Sequence, residues 1–351
     1  MGKGADCKPI LHQKGGAMIL VTGGTGLIGS HLLYELCKQG KVVRALKRSS
    51  SSINLTQKLF RHYLPVNPSL FNQVQWVDGD VEDYQSLVDA LQGVDEAYHC
   101  AAMVSFAKRD IQRMLEVNVG GTANMVDAAL EVGVKRFCHV SSVASLGGPV
   151  DGNLVTEESV WGKSKGKSGY AVSKFRSEME VWRGIELGLN ATMVNPSVII
   201  GPGRWDSGSG QIFGTLAKGF PFYTTGITGY VDVRDVVDAM VSAMDKQFWG
   251  RRFIINGENI SHQKVFQLIA CELGNKPPSI KVAPWMTTIA WRAALVASFF
   301  TRKSPAITRD TANSGYSTTY YSSQRMKDEL GVTPRTIAEA VQNTVKAGPF
   351  Y

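Results

Sequence analysis

The stretch that decides the fold is V-T-G-G-T-G-L-I-G, residues 21–29, which follows a short apolar run and opens a helical pattern at Leu27. Gly23, Gly26 and Gly29 have the spacing of a dinucleotide-binding loop between a strand and a helix. The first glycine allows the tight turn, the second lets a pyrophosphate approach the backbone, and the third lets the helix pack closely on the strand. Backbone N–H groups at the helix start favour the anion. The predicted loop contacts are Gly23, Thr25, Gly26, Leu27, Ile28 and Gly29.

Strand and helix patterns alternate through the first 200 residues. Strands are expected at 18–22, 41–46, 74–77, 97–101, 136–140 and 191–195, and helices at 27–39, 84–91, 110–132 and 170–187. This alternation predicts an α/β fold, a doubly wound parallel sheet of the Rossmann type with a smaller C-terminal substrate-binding lobe. A further strand at 252–256 is expected to return to the sheet.

The expected domain organisation has three parts. Residues 1–17 are interpreted as a disordered extension or an expression remnant, because they are polar and lack the apolar core of a signal peptide. Residues 18–199 and 230–258 are predicted to form the dinucleotide-binding domain, and residues 200–229 and 259–351 the substrate-binding lobe.

Composition narrows the class of protein. With 44% hydrophobic and 19% charged residues, the 351-residue chain is typical of a packed globular protein. The net charge of +8 is not concentrated in one block, and the local run Lys163, Lys165 and Lys167 predicts an exposed mobile loop and no nucleic-acid partner. Five cysteines form no metal-binding pattern, and Cys100 and Cys138 are expected to be buried free thiols. These features predict a cytoplasmic protein without a metal site or disulfides.

The segment Trp285 to Phe300 is strongly apolar but shorter than a membrane-spanning helix, and Arg292 interrupts it. We expect a buried or lid helix and no transmembrane segment. Contact with a membrane surface or with a partner is the alternative.

The end of the second predicted strand indicates which nicotinamide cofactor binds. NAD-binding loops place an acidic residue about 20 positions after the glycines, but no Asp or Glu occurs between Lys41 and Phe60. Arg48 stands there instead, with Lys47, Ser49 and Ser50 beside it, which favours the 2′-phosphate of NADP(H) while leaving NAD(H) possible.

Two further strand ends are expected to contact the adenine half of the cofactor. Asp80 and Val81 follow the third strand, where a carboxylate can accept from the adenine amino group, although Asp80 could instead cap the next helix. Ala101 and Ala102 end the fourth strand and leave room for the cofactor against the backbone.

Tyr170 and Lys174 form the pattern YxxxK on a predicted helix, and their spacing places both side chains on one face. A nearby ammonium is expected to lower the pKa of the phenol, so that Tyr170 can exchange a proton with a substrate oxygen. The fifth strand ends in two serines, and Ser142, in preference to Ser141, is expected to hold the same oxygen. Either serine could instead cap a turn.

The combination of TGGTGLIG, the strand-end VSS, YAVSK and NPSVIIGPG resembles the extended short-chain dehydrogenase/reductase family, within the NAD-dependent epimerase/dehydratase superfamily, over about residues 18–345. The stretch V-R-A-L-K-R is similar to the dihydroflavonol reductase and 3β-hydroxysteroid dehydrogenase branches, in which an arginine at the position of Arg48 meets NADP. The resemblance implies Ser142 as the catalytic serine and a mainly structural Asn118. It also implies that Pro196, Ser197 and Val198 lie against the nicotinamide, and that a homodimer is common.

These features predict an NAD(P)-dependent oxidoreductase that interconverts a ketone and a secondary alcohol on an apolar or aromatic small molecule, through Ser142, Tyr170 and Lys174. The main alternative is a nucleotide-sugar epimerase or dehydratase with tightly bound NAD, in which Arg204 and Arg234 would bind a diphosphate. A binding protein without catalysis is disfavoured, because both Tyr170 and Lys174 are present.

Overall fold

The computed structural model describes residues 17–65, 68–149, 152–164, 166–301, 312 and 314–350, with the backbone alone at residues 68, 290 and 294–301. The predicted extension 1–17, apart from its last residue, lies outside the described residues, as does Cys7.

The central sheet is parallel and has seven strands. In chain order these are β1 (Met18–Thr22), β2 (Val42–Lys47), β3 (Gln75–Asp78), β4 (Glu96–His99), β5 (Arg136–Val140), β7 (Ala191–Pro196) and β11 (Arg251–Ile255), with the short β6 (Leu154–Val155) outside it. Their spatial order is β3-β2-β1-β4-β5-β7-β11. The order reverses direction between β1 and β4, and ligands of such sheets bind at this reversal beyond the strand ends.

Helices cover both faces of this sheet. The bounds are α1 (Leu27–Lys38), α2 (Asn54–Tyr63), α3 (Tyr84–Leu91), α4 (Ile111–Leu115), α5 (Gly121–Val132), α6 (Gly169–Glu186), α7 (Gln211–Leu216) and α8 (Val233–Asp245). Leu33 of α1 and Met240 of α8 belong to the core on one face, and Met125 of α5 and Val181 of α6 to the core on the other. The doubly wound sheet predicted from the sequence is therefore confirmed, and β11 does return to it.

The predicted helix 110–132 is continuous, but the α-helix is interrupted by a turn of π-helix in its middle. Residues Glu116–Gly120 form a π turn between α4 and α5. A π turn inserts one extra residue and often marks a functional position. Here it contains the buried Asn118.

A third core lies beyond the central sheet. The strands β8 (Val198–Ile200), β10 (Ile227–Asp232) and β12 (Glu258–Ser261) form a small mixed sheet. It packs with α7, α9 (His262–Glu272) and α12 (Ile337–Ala347) through Phe213, Ile269 and Ile337. The remaining elements are β9 (Phe222–Tyr223), β13 (Ile280–Lys281), α10 (Pro284–Thr301), β14 (Tyr320–Tyr321) and α11 (Gln324–Asp328).

The apolar segment 285–300 forms most of α10, but the expectation of a buried helix is wrong for its described side chains. Trp285 and Ile289 are exposed, because they lie on the helix face that turns away from the rest of the molecule. No helix in the described part of the chain is long and apolar enough to cross a membrane.

Of the cysteines in the described ranges, Cys37 and Cys138 are buried, Cys100 is half-buried and Cys271 is exposed, and all four are free thiols. The expectation of burial is confirmed for Cys138 and is only partly met by Cys100, which stands at the open edge of the sheet just after β4.

Gly29 is required by the contact between α1 and the turn after β1. A Cβ atom at this position would overlap the Gly23 carbonyl oxygen and lie 2.7 Å from its carbonyl carbon. We expect Gly29→Ala to lower the free energy of unfolding by about 1–3 kcal/mol, because the backbone must move to accommodate the methyl group. Urea unfolding measures this change.

Gly120→Ala is the matched control, since Gly120 is helical and nothing lies within 4 Å of a Cβ atom there. It should leave stability unchanged or raise it by up to about 1 kcal/mol. Equal destabilisation by both substitutions would contradict the assigned close approach.

Candidate active site

The predicted site residues come together at one edge of the central sheet. The loops after β1, β2, β3, β4, β5 and β7 all leave from the carboxyl ends of parallel strands. These loops carry Gly23, Arg48, Asp80, Ala101 and Ser142 in turn, and the segment 196–198 follows β7. The topology therefore places these predicted loop residues on one edge of the sheet.

The glycine loop has the geometry that a pyrophosphate needs. Gly23 has a φ of +69°, and a Cβ atom there would lie 2.7 Å from the Ala101 nitrogen. The Gly26 N–H donates to the Gly23 carbonyl at 2.9 Å, and no side chain caps the start of α1. The first N–H groups of a helix have no partner within the helix itself. The N–H groups of Leu27 and Ile28, at the start of α1, therefore remain available for an anion. This loop fits a dinucleotide.

Thr22 fixes the loop after β4 against the glycine loop. Its hydroxyl accepts the Ala101 N–H at 3.2 Å and lies 2.8 Å from His99 Nδ1. The other ring nitrogen of His99 is 3.1 Å from the Thr122 hydroxyl. Burial lowers the pKa of His99 to about 3, so this link stays neutral at physiological pH.

Arg48 lies at the tip of β2 with its side chain exposed. Its neighbour Lys47 forms an ion pair with Asp78 at the end of β3. Within the described ranges no ion pair engages Arg48 itself. The guanidinium at the end of the second strand is therefore available to bind an anion.

Asp83, and not Asp80, caps α3. The Asp83 carboxylate accepts the Ser86 N–H at 3.3 Å. Asp80 accepts only the neighbouring Glu82 N–H, at 3.2 Å, and remains half-buried. The alternative interpretation of Asp80 as the helix cap is therefore wrong, and its carboxylate stays at the cofactor edge. Val81 beside it is buried.

Lys174 is buried on the inner face of α6, and its ammonium donates to the Val140 carbonyl at 3.0 Å. Burial lowers the pKa of Lys174 from 10.5 to about 8, and the carboxylate of Glu178, one helical turn further on, acts in the opposite direction. The amine is thus fixed at the end of β5 and titrates near neutral pH.

Tyr170 and Ser142 meet above this lysine. The Ser142 hydroxyl faces Tyr170 and lowers the pKa of its phenol, and it accepts the Ala144 N–H at 3.1 Å. Ser142 therefore also caps the short turn 143–145, as its alternative interpretation predicted. Ser141 is buried, and its hydroxyl donates to Ser145 at 3.1 Å. Of the two serines, Ser142 is the one that faces Tyr170.

The pKa of Tyr170 differs from the expectation. Burial raises the pKa of the phenol, and the hydrogen bond from Ser142 offsets this only in part. Lys174 is not among the groups that shift this pKa, so the predicted lowering by its ammonium is not found.

The wall of the site opposite α6 is apolar. Phe106 packs edge-on against Tyr170 with ring centroids 5.6 Å apart. Asn118 holds this loop, since its amide accepts the Met103 N–H at 2.7 Å and donates to the Met103 carbonyl at 2.9 Å. The same amide donates to Ser173 at 3.0 Å. Asn118 thus joins the loop to α6, which fits the structural role implied by the family resemblance.

At the end of β7, Pro196 and Ser197 are buried and Val198 is half-buried. The Ser197 N–H donates to the Ile255 carbonyl at 3.0 Å, which fixes this segment to β11.

A buried polar network behind Ser142 was not predicted from the sequence. The Glu178 carboxylate accepts hydrogen bonds from the Ser145 hydroxyl, at 2.6 Å, and from the Asn195 amide. The Asn195 amide also donates to the Ser145 hydroxyl. The Ser145 hydroxyl lies 2.7 Å from the Ser142 carbonyl oxygen, to which it also donates. Arg252 lies 3.4 Å from the other carboxylate oxygen of Glu178. The network holds the turn that carries Ser142. The available signal was the position of Glu178, four residues after Lys174 on the same helix face.

Two arginines considered for a diphosphate are engaged elsewhere. Arg204 pairs with Asp206 at 2.7 Å. Arg234 pairs with the buried Asp232 at 2.6 Å, and it lines a small cavity beside α1 together with His31 and Tyr63.

The sheet order and the glycine loop are typical of dinucleotide-dependent enzymes. The family model of the NAD dependent epimerase/dehydratase family matches residues 19–255. A putative dihydroflavonol 4-reductase from Synechocystis is 31% identical over 93% of this chain and 92% of its own. Sterol demethylase protein B from Methylococcus capsulatus is 32% identical over 93% and 96%. The crystal structure of gox2253 is 32% identical, covers 93% and 96%, and superposes with a TM-score of 0.77.

The chain therefore belongs to the NAD-dependent epimerase/dehydratase family, which comprises the extended short-chain dehydrogenases/reductases. It is an NAD(P)-dependent enzyme of that type.

The Glu178 carboxylate should control the pH range in which Lys174 carries its charge. Because Glu178 raises the pKa of Lys174 against the effect of burial, Glu178→Gln lowers that pKa further. Activity that needs the ammonium is lost as pH rises through the pKa. The alkaline limb of kcat/KM should therefore move to lower pH, with about a 3- to 10-fold loss at pH 8.

Glu180→Gln is the control, since Glu180 lies on the same helix and pairs with Arg183 at 2.8 Å. Its pH profile should match that of the parent enzyme. A Glu178→Gln profile that is lower at every pH without a moved limb would show that Glu178 has only a structural role.

Proposed function

We propose that this protein is an NADP(H)-dependent oxidoreductase that interconverts a ketone and a secondary alcohol on an apolar or aromatic small molecule. The observation that carries the proposal is the convergence of Ser142, Tyr170 and Lys174 at the carboxyl edge of the sheet, where the Ser142 hydroxyl is close enough to Tyr170 to lower its pKa and Lys174 is buried one helical turn away. A phenol and a hydroxyl placed together can share one substrate oxygen.

Each side chain then has a distinct part in the reaction. When bound, the nicotinamide supplies the hydride to the carbonyl carbon, or accepts it in the reverse direction. Ser142 donates a hydrogen bond to the carbonyl oxygen, and Tyr170 transfers its proton to that oxygen as the C=O double bond becomes a single bond. Lys174 holds the nicotinamide ribose, and Ser142 stabilises the phenolate that Tyr170 leaves behind.

Support for an apolar substrate comes from the wall of the site. Phe106 packs on Tyr170, and the exposed Val104 lies on the same loop. The names of two relatives point the same way, one to a dihydroflavonol and the other to a sterol. We assign the selection of substrate to the lobe formed by residues 200–229 and 259–351, and cofactor binding to residues 18–199 and 230–258.

Support for NADP(H) comes from Arg48. Its guanidinium is exposed at the tip of β2, whereas Lys47 is paired with Asp78. The remaining proposed cofactor contacts are Gly23, Thr25, Gly26, Leu27, Ile28, Gly29, Asp80, Val81, Ala101, Ala102, Pro196, Ser197 and Val198.

Tyr170→Phe should abolish turnover while the protein still binds cofactor. A panel of ketones and aldehydes of graded size, followed by NADPH and NADH absorbance, first finds an active substrate. On that substrate the variant should lose about 10²- to 10⁴-fold in kcat/KM, because it lacks the proton donor. Its affinity for NADPH, measured by fluorescence titration, should be unchanged.

A Tyr170→Phe variant that retains full activity would overturn the proposed mechanism. Release of tightly bound NAD from the purified protein, combined with inactivity on the whole panel, would favour a nucleotide-sugar epimerase or dehydratase instead.

Arg48→Ala should weaken NADPH binding by about 10- to 100-fold, since a charge-assisted bond to phosphate contributes about 1.5–3 kcal/mol. Its affinity for NADH should remain as in the parent enzyme. Lys47→Ala removes a neighbouring cation that is already paired with Asp78 and should have a much smaller effect. Unchanged NADPH affinity in Arg48→Ala would contradict the assignment of NADP(H).

A further inference from the structure

Two segments that are distant in sequence are joined by backbone hydrogen bonds, and both expose large apolar side chains. The Ile280 N–H donates to the Pro221 carbonyl at 2.9 Å, so β13 and β9 lie side by side, and α10 begins three residues after β13. The patch comprises Phe220, Ile280, Trp285 and Ile289, whose exposed fractions are 38%, 45%, 65% and 60%. Trp285 and Ile289 are one helical turn apart and lie on the same stripe of α10.

Within the two segments that form this apolar-basic patch, the charged residues have one sign, although the exposed Glu272 precedes the second segment. Lys218, Lys276, Lys281 and Arg292 are exposed beside it. Neither segment that forms it, residues 215–226 and residues 274–301, contains an Asp or Glu. Arg292 also stacks on Trp291, with its guanidinium 4.7 Å from the ring centroid. Large apolar side chains ringed by cations are unusual on a surface that meets only water.

We propose that the apolar-basic patch docks this protein on the surface of an anionic phospholipid bilayer. Trp285 and Ile289 insert at the boundary between headgroups and acyl chains, and the four cations contact the lipid phosphates. Trp is well suited to this boundary, because its ring is apolar and its N–H can bond to the headgroup region. The helix lies along the surface, since no helix in the described ranges can cross a bilayer.

The charge pattern favours a bilayer over a second copy of the chain. Two-fold symmetric dimers bring the same patch of both subunits together. Such a contact would place four cations against four, with no acidic residue from either segment to compensate them. An anionic lipid surface complements every cation of the patch.

The patch connects to the proposed active site. The Tyr316 hydroxyl donates to the Val282 carbonyl at 3.1 Å, at the base of α10. The chain continues from there to Tyr321, which packs in a small core with Val143, the residue after Ser142. A membrane-bound lobe would thus take an apolar substrate directly from the bilayer. This use of the patch rests on the proposed function, whereas the docking itself does not.

The test is co-sedimentation of the full-length protein with vesicles of phosphatidylcholine alone and of phosphatidylcholine with phosphatidylglycerol at 3:1. We expect binding to the anionic vesicles and at least a tenfold weaker partition for Trp285→Ser and for Arg292→Glu. Leu187→Ser is the control, since Leu187 directly follows α6, is 60% exposed and lies outside the patch. It should bind as the parent protein does, and circular dichroism melting checks that each variant is folded.

Tyr170→Phe separates docking from catalysis, because it should bind vesicles normally even though it turns over nothing. Absence of binding to anionic vesicles would overturn the proposal, as would equal binding by Trp285→Ser and the parent protein. A dimer seen by light scattering that Trp285→Ser dissociates, without any binding to lipid, would assign the patch to a second copy instead.

Discussion

The buried hydrogen bond from Lys174 to the Val140 carbonyl sets the geometry of everything around it. It joins α6 to the end of β5, and the helical period then places Tyr170 one turn before the lysine and Glu178 one turn after it. Ser142 follows Val140 by two residues, so the same bond brings it within reach of Tyr170. A buried ammonium without partners would be costly, and here a carbonyl and a nearby carboxylate offset that cost.

The polar groups behind the site show why the turn at Ser142 is held so firmly. The Ser142 carbonyl receives hydrogen bonds from Ser145 and Asn195, and both of these also contact Glu178. Arg252 brings its charge to Glu178 from the edge strand β11 and also donates to the Glu157 carbonyl at 2.6 Å. A buried network of this kind specifies one arrangement of its members, and the loss of any member exposes the others to an unmet desolvation cost.

Much of the fold was predictable from the sequence because each strand end carries its own signal. The glycines after β1 and the YxxxK spacing on α6 depend on local geometry, which residue order determines directly. The Glu178–Asn195–Arg252 network was not predictable, since it joins a helix to two strands that only the sheet order brings together. The direction of the Tyr170 pKa also required the structure, because burial depends on long-range packing. The exposure of α10 is a third case, since its composition alone fits a buried helix equally well.

The position of β11 at the edge of the sheet has a consequence for synthesis on the ribosome. Strand β7 pairs with its outer neighbour β11 only after residues 197–250 have been synthesised. Those residues contribute to the third core, which is complete only when α12, ending at Ala347, has also been synthesised. Arg252 arrives with β11, so Glu178 stays without its cation during the same interval. A nascent chain with most of its sheet formed therefore still lacks this ion pair and has an open strand edge. This interval is when a chaperone that shields strand edges would matter most to this protein.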